Sequence, residues 1–162
     1  MPRCSLRPEC RRGRPSDRSR RRRRGGHGGH RGSRGAAREA GHHYETDKAW
    51  DAIHRCLTDG TLSGEGPAPL HLAVLGGRSL YVEEDYVVRY LTPAEVAEVA
   101  RALAGLDRDW FLGRYQSLDP DDYDGPMGED DFEYTWENFA GLRDFLRAAA
   151  EKGLAVIFTV DQ

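Results

Sequence analysis

His54 is the residue with the most chemistry within reach. Asp47 and Asp51 precede it on one helical stretch, and either is placed to orient an imidazole acting as general base. With Arg89, Tyr90 and Tyr115 around one cleft, the set would serve a small hydrolase-like enzyme. The plainer expectation for His54 is a half-buried, hydrogen-bonded side chain beside the apolar stripe of its helix. The acidic run of residues 119–131 is a second candidate. Asp122, Asp124 and Asp131 fall near calcium-loop spacing around Gly125, but Pro120 takes the first ligand position and Asp131 is shorter than the bidentate Glu expected at the last. A solvated acidic loop is the simpler reading, and no metal or cofactor is expected. Trp50, Arg89, Tyr90, Tyr115 and Trp136 are the side chains suited to a binding surface, set against ordinary core and ion-pair roles.

Other reactive types fit less well. Cys56 follows His54 and Arg55, which leave a helix in other directions, so a small core residue is expected rather than a nucleophile. His71 alternates with apolar neighbours as on a strand and is expected to face outward. Gly76-Gly77 lacks a phosphate-loop context and reads as a turn. Ser63, Ser79 and Ser117 have no nucleophile elbow.

The elements that must position these residues are legible in outline. The spacing of Trp50, Ile53 and Leu57 predicts a helix over 46–59, capped by Thr46 and stopped by Gly60. A Gly/Pro/Ser loop follows, then an apolar run at 70–75 that reads as a strand. Short strands are predicted at 80–82 and 86–90 around an acidic turn. Thr92-Pro93-Ala94-Glu95 is a capping box with proline at the first helical position. Helices are predicted behind it, at 107–116 and at 131–152, with a last strand at 154–160. The class is α+β, one compact domain of several helices and a small sheet.

Charge divides the chain. Residues 1–42 hold fourteen arginines against Glu9, Asp17 and Glu39, a balance of +11, whereas residues 43–162 stand at −14. The expectation is a disordered Arg/Gly-rich tail over 1–42 and a folded domain over 43–162. The tail would act as a nucleic-acid arm if it is real, although no aromatic precedes Tyr44. Text of this composition also arises when GC-rich DNA is read upstream of a start or out of frame. His27, His30, His42 and His43 make at most an adventitious metal tract. Three cysteines without a Cys-x-x-Cys spacing, and no apolar run of spanning length, point to a reduced, cytoplasmic setting without membrane contact.

The order of blocks Asp47-Lys48-Ala49-Trp50-Asp51-Ala52-Ile53-His54, Leu75-Gly76-Gly77, Arg89-Tyr90-Leu91-Thr92-Pro93-Ala94-Glu95-Val96, Arg114-Tyr115, Trp136 and 145–156 resembles the YfbM-like family, domain of unknown function 1877, over residues 45–160. The resemblance implies a small soluble bacterial α+β protein and carries over no catalytic residue. The Arg-rich segment stands where family members usually place a strand and helix, whose loss would bare apolar surface and a sheet edge. The leading functional expectation is a non-enzymatic interaction module with a basic protein partner, toxin neutralisation being one form by analogy of size and charge. Hydrolysis at His54 and nucleic-acid binding through the tail are the alternatives. Oligomeric state is left open.

Overall fold

The computed structural model describes residues 43–63, 65–83 and 86–161. The tail expected over 1–42 lies outside them, as do Glu84 and Asp85 of the expected acidic turn. In chain order the elements are α1 (Ala49–Leu57), a single 3-10 turn (Leu70–Leu72), β1 (Arg78–Glu83), β2 (Tyr86–Leu91), α2 (Pro93–Leu103), α3 (Arg108–Gln116), α4 (Glu129–Glu151) and β3 (Val156–Asp161). The class is α+β. No helix among the described residues is long and apolar enough to cross a membrane.

Helix α1 is shorter than the spacing predicts. Asp47 takes a left-handed φ of 44°, and the helix starts at Ala49 with no side-chain cap, so Thr46 does not cap it. Its burial also exceeds one stripe. Ile53 and Leu57 are buried as expected, but so are Ala49, Ala52, His54, Arg55 and Cys56. The helix packs against α3, α4 and the 3-10 turn. A helix enclosed this way has no solvent face to spare for its polar residues, which must find partners inside.

Two helix starts follow from sequence chemistry. Thr92 accepts from the Glu95 amide at 3.3 Å, and Glu95 Oε2 accepts from the Thr92 amide at 2.7 Å and the Thr92 hydroxyl at 2.8 Å. The Asp107 carboxylate accepts from the Trp110 amide at 2.8 Å and starts α3 the same way. Thr92→Ala should lower stability by about 1–2 kcal/mol, read as a lower urea midpoint at unchanged slope. An unchanged midpoint would mean that Glu95 alone holds the end.

The three strands form one antiparallel sheet in the order β1-β2-β3, with Arg89 opposite Ser79 on one side and Phe158 on the other. Side chains alternate across it. Leu91, Arg89 and Val87 share a face with Val156, Phe158 and Val160, and Phe158 meets Trp50 of α1 at 6.5 Å between ring centroids. The opposite face carries Tyr90, with Arg78 over its ring, and exposes Tyr81, Tyr86 and Ile157. β1 and β3 are the sheet edges among the described residues.

The apolar run at 70–75 is not a strand. Leu70–Leu72 make the 3-10 turn, and Leu72 and Ala73 donate backward to Pro69 and Leu70. A short apolar run has no period that separates strand from buried turn, and the prolines at 67 and 69 decide here. The core is built on Phe111, which lies between Phe139, Trp136 and Phe132.

Candidate functional site

Burial reorganises the candidates of the sequence. His54 is 1% exposed. Burial, then the neighbouring Arg55 guanidinium, press its pKa from 6.5 to about 4, and Arg89 and His71 push the same way. Its Nε2 has no hydrogen-bond partner among the described residues. The two carboxylates that could orient it are engaged elsewhere. Asp51 accepts from Arg55, and Asp47 accepts from the Tyr134 hydroxyl at 3.0 Å.

Arg55, which sequence reasoning passed over, organises one end of α1. It is 4% exposed and donates to Asp51 one turn back and to Asp122 of the acidic loop. It also reaches the Gly60 carbonyl at 3.3 Å. Arg114 of α3 donates to the Cys56 carbonyl at 3.0 Å and to the Thr58 carbonyl. Those carbonyls end α1 and have no partner within it, so Arg114 caps the helix from outside. An Arg side chain gives no periodic signal of such a long-range role.

The calcium candidates do not converge. Asp122 is taken by Arg55, and Asp131 accepts from both the Tyr115 and the Tyr123 hydroxyls. Burial and that shared carboxylate push both phenols up from their ordinary value. Asp124 is exposed. Among the described residues no three His, Cys, Asp or Glu side chains gather as metal ligands do.

Tyr115 packs on Tyr123 and Phe132, and Tyr90 occupies the outer sheet face, opposite to Arg89. Trp136 is part of the aromatic core, and Trp50 contacts Phe158. Cys56 is fully buried, with its thiol pushed up to about 12 by desolvation.

What the fold does bring together is a polar pocket of about 470 Å³, walled in part by Arg89, His71, Glu95, Ser63, Leu72 and Leu75. His71, expected to face outward from a strand, is half-buried here because the 3-10 turn brings it inward. Its Nδ1 and the Arg89 Nε are both without partners among the described residues. Gly76 and Gly77 close the floor and are required there. A Cβ at Gly76 would lie 2.3 Å from Leu72 Cα, and Gly77 has φ +76° with its Cβ position 2.5 Å from the Tyr90 carbonyl oxygen.

The family model for a domain of unknown function, DUF1877, matches residues 32–159. The chain belongs to the DUF1877 family. The match opens thirteen residues before the described helix-bearing part at 45 that the motifs alone delimit, and so takes in the end of the Arg-rich segment. The crystal structure of YfbM from Escherichia coli, a protein of unknown function, is similar at 26% identity and a TM-score of 0.52. The likeness covers 72% of this chain and 78% of that one. No curated protein matches. In DUF1877 terms, the pocket lies where the Leu75-Gly76-Gly77 and Arg89–Val96 blocks meet.

Proposed function

We propose that this DUF1877 domain is a protein-interaction module whose acidic end receives a basic protein. The observation that carries the reading is the stretch between Arg114 and Arg143. It holds Asp119, Asp121, Asp122, Asp124, Glu129, Asp130, Asp131, Glu133 and Glu137 with no Lys or Arg between them. Asp122, Asp131 and Glu133 are occupied within the fold, and Glu129 and Asp130 suit the positive end of α4. Asp121 and Asp124 are exposed and enter no ion pair among the described residues. Carboxylates without an internal role, gathered on one segment, build a field that steers cations and repels nucleic acid.

Interaction is favoured over hydrolysis at His54 because Asp47 and Asp51 already serve Tyr134 and Arg55. A basic toxin would be one such partner, by analogy alone.

The test is recovery of partners by the full-length chain at low and at high salt, each identified by mass spectrometry. Asp121→Lys with Asp124→Lys should weaken capture of a basic partner about tenfold or more while leaving the melting temperature nearly unchanged, since both sites are exposed. Equal capture by the variant, or partners that are not basic, would refute the reading.

A further inference from the structure

Two residues with unmet hydrogen-bonding capacity wall one pocket, and a third sits on α1, which packs against the 3-10 turn. Arg89 Nε, His71 Nδ1 and His54 Nε2 are each buried and lack a hydrogen-bond partner among the described residues. They come from the central strand, the 3-10 turn and α1, so nothing in the chain order groups them. Arg89 and His71 both disfavour a charge on His54. Buried polar atoms are almost always paired, because an unpaired one forfeits its hydration. Two of these orphans belong to residues that wall one pocket, Arg89 and His71, and mark it as a place kept for something other than stability.

The pocket has the volume of a small-molecule site, about 470 Å³. Its one permanent cation is Arg89, whose planar fork matches an oxyanion. His71 lines the same wall, and Leu72 and Leu75 supply its apolar part. Glu95 stands on the same wall with its charge held by Thr92, so a ligand with two negative charges meets repulsion. The Thr92 and Glu95 amides at the start of α2 are already spent on the Glu95 carboxylate and the Thr92 hydroxyl.

We propose that this pocket binds a small monoanionic carboxylate, its oxygens held by the Arg89 guanidinium and the His71 ring, with its hydrocarbon part against Leu72 and Leu75. The acidic stretch at 119–131 contributes nothing to this wall, so the site stands apart from the protein-docking reading and can fail without it.

Butyrate, succinate and inorganic phosphate are the probes, titrated into the full-length chain in chloride buffer at pH 7. The readouts are the Arg89 Nε–Hε resonance and the melting temperature. Butyrate should shift the resonance saturably with a dissociation constant on the order of millimolar. It should raise the melting temperature by about 4 °C at tenfold excess over that constant. Arg89→Met should melt no lower than the parent without ligand, because it removes a half-buried charge at similar volume, and should not respond to butyrate. Where Arg89→Met does not fold, His71→Leu is titrated instead and should bind at least about fivefold more weakly. The proposal is overturned if butyrate causes no saturable shift at tenfold the expected constant, if the variant responds as the parent does, or if phosphate or succinate binds more tightly than butyrate.

Discussion

Phe111→Ala should remove about 3–5 kcal/mol of stability, the largest single-residue loss expected in this domain. The ring is fully buried on α3 and stacks on Phe139 at 4.4 Å between centroids. Trp136 lies 5.6 Å away and Phe132 6.5 Å. Helix α3 is fixed at both ends, Asp107 capping its start and Arg114 tying its last turn to α1, so the space left by the ring cannot collapse freely. A domain of this size is stable by about 5–15 kcal/mol, which leaves the variant marginal or unfolded at 37 °C. Urea titration of parent and variant measures the loss. A change under about 1 kcal/mol would mean that the aromatic cluster relaxes as a fluid, contrary to its close packing.

Acid should destabilise the protein through His54. In the folded chain its pKa is about 4 against an ordinary 6.5, so the unfolded chain takes the proton first. The stability that its neutral burial allows is therefore complete above pH 6.5 and is lost as pH falls from 6.5 through 4, about 3 kcal/mol in all. His54→Leu should escape that loss, so the stability difference between variant and parent should move by about 3 kcal/mol in the variant's favour between pH 7 and pH 4. The surface carboxylates titrate alike in both proteins and cancel in the comparison. Parallel acid limbs for the two proteins would show that His54 is not held neutral.

Much of the fold is legible before any coordinates. The Thr92–Glu95 box starts α2 where it reads, Asp107 starts α3, and the two flanking strands and the last strand lie within a few residues of expectation. These are local effects, decided by which side chain can reach which amide and by a period of apolar residues. Thr46 shows the boundary of such reasoning. Its type suits a cap, but the left-handed turn at Asp47 moves the start of α1 to Ala49. The Leu70–Leu75 run shows it again, since apolarity alone does not say whether a buried segment extends or coils.

The candidate site was read only in pieces. Arg89, His54 and Glu95 each stand out by type, but Glu95 reads only as a cap and His71 as an outward strand residue. Their meeting depends on the antiparallel register that places Arg89 on the inner face, and on the 3-10 turn that swings His71 inward. The Gly76-Gly77 pair, so close to Leu72 and Tyr90 that no side chain fits, is the one mark in the chain that a wall stands there.

By itself the amino-acid order determined the α+β class, the Thr92–Glu95 capping box, the family and the split of charge, because each follows from short-range bonding, from periodicity or from composition. Only the three-dimensional packing decided that α1 is enclosed on nearly all sides, that Asp51 and Asp122 are bound to Arg55, and that His71 and Arg89 wall one pocket while His54 is buried. Those facts depend on contacts between residues far apart in the chain, and whether a polar group is paired or orphaned is a property of the space around it rather than of its neighbours in sequence.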